Sequence, residues 1–474
     1  MVKTRFAPSP TGKPHVGNIR TAIFDYLYAK SQKGQFILRI EDTDRERMVP
    51  EAVKYIEESL SWLGLKWNDE EKVHQSDRLK IYNEYTEKLL KEGKAYKCFC
   101  TKERLAELRE EQIKSKQPPG YDACCRKLTK EDVEKLEKEG KTSVIRFRIP
   151  EKPGEITWND TIRGKVTIRT DIQDDFIILK SDGYPTYHLA SVVDDHLMDI
   201  TTVIRAEEWI PSTPKHILLY QSLGWEHPKF AHMPHIVGKD RSKLSKRHGD
   251  TAIMDYRENG YLADTMLNFL ALLGWNPGTT QEIFSKEELE KTFDLKKVGK
   301  SPAVFDIEKL NWINGEKIRA MKVKDLMKKV EDFDSDFLKG KDTALVERAL
   351  TVMQTRMVTL KDFTENSNFF FNDIKYSPKL LIFGKSTHDA TLHGLKSVLK
   401  ALESQKTITS GDSASDTMKS VVEAENLSNG DVFWPVRVAL SGQEKSPSPN
   451  EIMWALGREK SIERIKTAIK LLEG

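Results

Sequence analysis

Two clusters in this chain combine residue types that handle phosphate. The first, His15-Val16-Gly17-Asn18, falls where a short stretch of alternating polarity hands over to a helical pattern. A helix N-terminus presents unpaired N–H groups and partial positive charge, which suits phosphate. Gly17 admits close approach to the backbone, and His15 and Asn18 can donate to phosphate or ribose oxygens. Alone, such a segment equally describes a capped turn. The second cluster, Gly238 to Gly249, carries Lys239, Arg241, Lys243, Lys246 and Arg247. Between glycines that permit movement, this loop can close over a triphosphate. Lys243 and Lys246 would then neutralise charge that builds between the α-phosphate and the leaving pyrophosphate. Alone, it equally describes a solvated basic turn or a patch touching RNA backbone.

Two further groups have metal-ligand chemistry. All four cysteines fall between Cys98 and Cys125. A disulfide framework is not expected in so long a chain of cytosolic character, which leaves a metal site or buried thiols. Asp194-Asp195-His196 offers donors as well, but adjacent acidic residues serve as helix caps more often than as ligands.

The elements that must position these groups follow a regular order. Val2 to Ala7 alternates as a strand, and Pro8, Pro10, Gly12 and Pro14 hold a loop. Val16, Ile19, Ile23, Tyr26 and Lys30 then follow at helical spacing. Phe36 to Ile40 has the character of a buried strand. Pro50 suits the first residue of a helix that carries Val53, Ile56, Leu60 and Leu63 and stops at Gly64. Strand, helix, strand, helix in this order argues for a parallel sheet of the nucleotide-binding kind. From about residue 96 the pattern becomes α+β, with strands expected at Val144 to Ile149, Val166 to Arg169 and Phe176 to Leu179. Strand and helix pattern resumes at Tyr187 to Leu219. Beyond about residue 320 the chain reads as helices joined by polar loops such as Ser404 to Asp416.

Composition agrees with a globular protein of several domains. The chain has 474 residues, 38% hydrophobic and 31% charged. Lys and Arg number 76 against 73 Asp and Glu, a formal charge of +3. That balance excludes a wholesale cationic surface but leaves room for a local basic stripe that binds nucleic acid. No stretch has the apolar length of a membrane helix, and MVKTRFAPSPTG has no apolar signal core, so a cytoplasmic location is expected.

Taken together, in this order and separation, the two phosphate clusters resemble the HIGH and KMSKS signatures of class I aminoacyl-tRNA synthetases. They stand here as His15-Val16-Gly17-Asn18 and Lys243-Leu244-Ser245-Lys246-Arg247. Further blocks are similar to the bacterial glutamyl-tRNA synthetase family. They are Arg5-Phe6-Ala7-Pro8-Ser9-Pro10-Thr11-Gly12, Arg39-Ile40-Glu41-Asp42-Thr43-Asp44, Tyr184 to Ala190, Arg205-Ala206-Glu207-Glu208-Trp209, Phe305-Asp306 with Lys309-Leu310-Asn311-Trp312, and Pro435 to Gly442. The resemblance covers essentially the whole chain.

That resemblance implies an α/β fold: a Rossmann-type parallel-sheet catalytic domain with an α+β insertion, followed by an all-α C-terminal anticodon-binding region. The implied divisions are a first catalytic half (1–95), a connective insertion for the acceptor end (96–186), and a second catalytic half (187–235). A stem-contact domain with the KLSKR loop (236–320) and a helical anticodon-binding domain (321–474) complete it. It implies a glutamate pocket of Arg5, Ala7, Ser9, Glu41, Tyr187, Ser191 and Arg205, with Ser191 standing where the family usually has Asn. It implies ATP contacts from His15, Gly17, Asn18, Glu208, Trp209, Lys243 and Lys246, of which His15, Asn18, Lys243 and Lys246 are the catalytic candidates. An acidic substrate side chain calls for a guanidinium fork, which Arg5 or Arg205 can offer. An α-ammonium calls for a carboxylate, and Glu41 is available.

Some family members hold structural zinc where Cys98, Cys100 and Cys125 stand. Their usual fourth ligand is His at the position of Lys127, so Tyr121 or Cys124 would have to substitute. The implied reaction joins L-glutamate to tRNA-Glu through a glutamyl-adenylate, with Mg2+ accompanying ATP, in a monomer. Arg356, Lys361 and Arg437 are candidate anticodon contacts, Arg437 alternatively a buried structural pair. The related queuosine-modifying synthetases normally lack a helical C-terminal domain, which residues 320–474 supply. A catalytically dead RNA-binding paralogue would show a broken nucleotide site, whereas His15, Gly17, Asn18, Lys243 and Lys246 are all present.

Overall fold

In the computed structural model, Thr4, Arg5 and Phe6 lie buried in strand β1 (Lys3–Phe6), which pairs in parallel with β2 (Gln35–Ile40). The structure describes residues 1–474 apart from 69, 71, 153, 243 and 245–251. Helix α1 (Val16–Ser31) makes the crossover between the two strands. Its Val16, Ile19, Ala22, Ile23, Phe24 and Leu27 are all buried, so it packs on nearly every side. The return to β2 passes Lys33 in the left-handed region and then Gly34, where a Cβ would stand 2.0 Å from the Val2 carbonyl oxygen. Only glycine fits there.

Helix α2 (Ala52–Trp62) starts two residues after the expected Pro50. The Ala52 N–H bonds back to Val49 O at 3.0 Å, so Pro50 sits in a lead-in turn rather than at the first helical position. Strand β3 (Val73–His74) extends the parallel sheet beyond β2, and α3 (Leu79–Lys91) follows.

The insertion begins with β4 (Ala95–Cys98) and contains α4 (Lys102–Lys114) and α5 (Lys130–Lys138). Strands β5 (Val144–Phe147), β6 (Glu155–Asp160), β7 (Gly164–Arg169) and β8 (Ile177–Leu179) follow. β4, β5 and β8 make an antiparallel sheet, while β6 and β7 form a hairpin. The three expected strands are found, and β4 and β6 are additional. In β6 buried Ile156, Trp158 and Asp160 alternate with exposed residues, a period-2 signal.

The chain then re-enters the first motif through α6 (Tyr187–Leu197), β9 (Thr202–Ala206), α7 (Thr213–Leu223) and β10 (Lys229–Met233). β9 and β10 pair in parallel, and β10 also meets Asp160 of β6. Thr201 fixes β9 beside β1: its N–H donates to Lys3 O at 3.0 Å, and its hydroxyl accepts from Lys3 N–H at 2.9 Å. The chain therefore winds one way through β1, β2 and β3 and the other way through β9 and β10. In such a sheet the crevice at the strands' C-terminal ends, where the winding reverses, is the natural ligand site.

Two compact units divide the molecule. One is Met1–Asp255 with Met266–Asp306, and the other is Tyr256–Thr265 with Ile307–Gly474. The second unit is helical with its own core, including Leu350, Phe363, Val436 and Ile465. The stretch expected as a polar loop, 404 to 416, is only partly one. A helix spans Gly411–Ala424, and Ser410 caps it by accepting from Ser413 N–H, so a polar cap there resembles a loop. Among the described residues no helix is long and apolar enough to cross a membrane.

Candidate active site

A cavity of about 910 Å³ opens at the C-terminal ends of β1, β2 and β9. The chain leaves β1 through Ala7 and Ser9, leaves β2 through Glu41, and places Arg205 near the end of β9. All four line the cavity with Arg5 and Tyr187. The phosphate-handling residues His15, Gly17 and Asn18 line it from the start of α1, and Glu208 and Trp209 from the turn after β9. Eleven of the residues proposed from sequence thus meet at one crevice. Ser191 is not among the lining residues: it is buried, with its Oγ 3.5 Å from Nη2 of Arg39. Lys243 and Lys246 lie outside the described residues, while Leu244 between them lines the cavity.

Charge is unevenly distributed inside. Arg5 grips Asp195 side-on, Nε to Oδ1 at 2.9 Å and Nη2 to Oδ2 at 3.3 Å. Arg39 also reaches Asp195 Oδ1, at 2.7 Å, and Glu41 Oε1 at 3.1 Å. Burial alone would raise the Asp195 carboxyl, but Arg39 and Arg5 together hold it below its ordinary range. Glu41 shifts the other way, because burial outweighs the pull of Arg39 and Arg5. Arg5 therefore keeps its end-on pair, Nη1 with the second N–H of Nη2, outside the Asp195 contact.

Arg205 differs. Its Nε donates to His232 Nε2 at 3.1 Å, and its Nη1 to the Tyr187 hydroxyl at 3.1 Å and toward His216 Nδ1 at 3.2 Å. Its Nη2 donates to Thr213 Oγ1 at 2.9 Å. Because the Tyr187 oxygen accepts from Arg205, its own proton is directed elsewhere. Of the two arginines expected to offer a fork, Arg205 therefore keeps a single N–H, with the Tyr187 O–H as second donor beside it.

At the other end, His15 caps α1: its Nδ1 accepts from Gly17 N–H at 3.1 Å. In the neutral ring this puts the proton on Nε2. The Trp209 ring lies 4.4 Å from that of Tyr187, so it packs against the amino-acid side as well as lining the cavity.

Two buried charged residues of the lining were not singled out from sequence. Asp25 is wholly buried, and among the described residues neither carboxylate oxygen has a hydrogen-bond partner. Burial pushes its carboxyl well above the ordinary range, opposed by Arg5. The signal was an Asp on the apolar face of α1. Arg20, equally buried, donates to the carbonyls of Leu273 and Pro234, and burial lowers it to about 10.

Asp194-Asp195-His196 is neither a metal site nor a cap. All three lie in the last turns of α6. Asp194 accepts from Gln75, Arg78 and Tyr82, while His196 stacks on Trp225 at 3.8 Å.

Among the described residues the group with metal-ligand geometry is Cys98, Cys100 and Cys125, whose sulfurs all lie within 4.8 Å of one another. The Tyr121 oxygen is 3.3 Å from Cys98 Sγ and 3.7 Å from Cys100 Sγ. Cys124 Sγ is 3.3 Å from Cys100 Sγ and 3.7 Å from Cys125 Sγ. Tetrahedral zinc with sulfurs at about 2.3 Å places ligand atoms roughly 3.5–3.8 Å apart; Cys100 Sγ and Cys125 Sγ, 3.5 Å apart, meet that spacing, and Tyr121 and Cys124 both stand near enough to supply the fourth donor. Cationic donors back the sulfurs: Arg146 Nε is 3.3 Å from Cys98 Sγ, and Arg104 Nη1 is 3.5 Å from Cys100 Sγ. Such outer contacts suit an anionic thiolate cluster.

In the helical unit, Arg356 pairs with Glu451 at 2.7 Å and Lys361 with Glu365 at 3.7 Å. The Nε of Arg437 is buried with no hydrogen-bond partner among the described residues.

The family model for the catalytic domain of class I tRNA synthetases (E and Q) matches residues 1–312, and an anticodon-binding-domain model matches residues 321–469. Sheet, crevice and helical unit are therefore those of a class I aminoacyl-tRNA synthetase. A "Glutamate--tRNA ligase" from Dehalococcoides mccartyi is 47% identical over 99% of this chain and 98% of its own. "Glutamate--tRNA ligase 2" from Thermoanaerobacter pseudethanolicus is 41% identical over 100% and 98%. A crystal structure of a glutamate tRNA ligase from Elizabethkingia meningosepticum, in complex with its amino acid, aligns with a TM-score of 0.89. It is 36% identical and covers 99% of each chain. The chain belongs to the glutamate–tRNA ligase family.

Proposed function

We propose that this chain activates L-glutamate with ATP and transfers it to the 3′ end of tRNA-Glu. The observation that carries this reading is the single crevice that joins Arg205, Tyr187, Arg5 and Glu41 to the start of α1. Arg205 and Tyr187 present one N–H and one O–H to the substrate's side-chain carboxylate, and the end-on pair of Arg5 reinforces the anion site. The Glu41 carboxylate receives the α-ammonium. His15 Nε2, Asn18 and the N–H groups opening α1 meet the phosphates.

The substrate α-carboxylate attacks the α-phosphorus of ATP in line, forming the mixed anhydride and expelling pyrophosphate. A ribose hydroxyl of the tRNA terminal adenosine then attacks the activated carbonyl and releases AMP. Neither step needs a covalent enzyme intermediate, so the side chains contribute position and charge. Lys243 and Lys246 are proposed to close over the phosphates, and Mg2+ enters with ATP. Zinc at Cys98, Cys100 and Cys125 would order the insertion near residues 96–186, and the helical unit would read the anticodon. We place the enzyme in the cytoplasm as a monomer.

The test is aminoacylation with labelled glutamate, ATP and Mg2+, using purified tRNA-Glu and tRNA-Gln in parallel. Charging of tRNA-Glu is expected. Charging of neither tRNA overturns the proposal.

A further inference from the structure

Among the described residues Arg205 has no carboxylate partner: lone pairs hold its N–H groups, and the rings of Trp209 and Phe230 lie 5.9 and 5.5 Å from its guanidinium carbon. Its four partners, Tyr187, His216, His232 and Thr213, are all neutral acceptors at 2.9–3.2 Å. A guanidinium can only donate, so each ring nitrogen facing it must be unprotonated. That requirement fixes the tautomers outward. His232 carries its proton on Nδ1 and donates it to Asp160 Oδ2 at 2.6 Å. His216 carries its proton on Nε2 and donates it to His188 Nδ1 at 3.0 Å. The Thr213 hydroxyl donates to the Trp209 carbonyl at 3.1 Å, which turns its lone pairs toward Arg205.

Asp160 in turn is saturated. It accepts from the N–H groups of Ile162, Arg163 and His232 besides the His232 ring. Burial supports the same protonation pattern: it pushes His188 down to about 4 and His216 well below its ordinary value. Arg5 and Arg39 are the contrast, since both share the Asp195 carboxylate.

We infer that His216 and His232, backed by His188 and Asp160, are positioning residues that hold Arg205 without neutralising it, and that this preserved charge sets the preference for glutamate over glutamine. The inference rests on the reading that Arg205 meets the substrate's side-chain carboxylate. A carboxylate touching Arg205 would fix its pose equally well but would cancel much of its attraction for an anionic side chain. The two substrates are nearly isosteric, so charge is the main difference available to the site. A neutral cradle keeps that difference undiminished.

Two near-isosteric variants separate charge from shape. His216→Gln places a neutral acceptor beside Arg205, and His216→Glu places a carboxylate there. The readout is the ratio of kcat/KM for glutamate to that for glutamine, with tRNA present, alongside Arg205→Met. We expect His216→Glu to lower the ratio by about 10-fold or more relative to His216→Gln, the scale of one compensated close charge pair. Equal ratios in the two variants overturn the inference, because a purely structural role damages both alike. If Arg205→Met leaves the ratio at its wild-type value, the underlying assignment of Arg205 fails instead. Should the His216 variants not fold, Thr213→Asn against Thr213→Asp poses the same comparison, with the same two outcomes.

Discussion

The Tyr187 hydroxyl accepts a hydrogen bond from Arg205 Nη1 at 3.1 Å, and this contact decides what the tyrosine can do next. With its lone pair engaged, its proton is available to a ligand in the cavity that both residues line. Tyr187→Phe removes that donor and leaves Arg205 Nη1 one acceptor short. A hydrogen bond to a charged group contributes roughly 1.5–3 kcal/mol, so kcat/KM for glutamate should fall about 10- to 100-fold, carried mainly by KM. Steady-state aminoacylation at varied glutamate checks this. An unchanged KM would place the substrate side chain elsewhere.

Asp25 should destabilise the free enzyme at neutral pH. Its folded-state carboxyl titrates well above the ordinary range, chiefly because it is buried. Between the ordinary carboxylate range and that raised value, the folded chain holds more protons than the unfolded one. Stability therefore falls as pH rises through that window. Asp25→Asn cannot ionise, so its stability relative to wild type should rise with pH across that window. Urea unfolding of both proteins at several pH values measures it. A variant less stable than wild type at pH 7 would show that Asp25 has a cationic partner in solution.

Much of this site was legible in sequence, for identifiable reasons. Proline and glycine punctuation around Pro8 to Pro14, followed by apolar helical spacing, located β1 and α1 to within a residue or two. Arg5, Glu41, Tyr187 and Arg205 lie far apart in the chain, so only a family resemblance could bring them together before the sheet did. Asp25 was hidden because burial without a partner is a tertiary property. Asp194 and Asp195 were misread as caps because their partners Arg78, Arg5 and Arg39 come from three other segments. The His188, His216 and His232 network left no trace either, since its order depends on which ring nitrogen faces Arg205.

The cysteine cluster should hold one zinc per chain, with Tyr121 as fourth ligand. The Tyr121 oxygen already lies 3.3 Å from Cys98 Sγ and accepts from Cys125 N–H at 3.0 Å, while the Arg146 guanidinium sits 3.8 Å from its ring centre. Cys124 is exposed. Metal analysis of the purified protein should find zinc retained in Cys124→Ser, and lost or weakened about 10-fold or more in Tyr121→Phe and Cys98→Ser. The reverse order would make Cys124 the ligand, and absence of zinc from wild type would reduce the cluster to thiols.

In the proposed reaction, glutamate and the adenylyl group meet in the crevice between β1, β2 and β9. The most direct measurement is calorimetric binding of a non-hydrolysable glutamyl-adenylate analogue to the wild type and to Arg205→Met. One charged anchor lost from a buried site costs about 2–5 kcal/mol, so affinity should fall roughly 30-fold or more. Equal affinity for the two proteins would contradict the assignment.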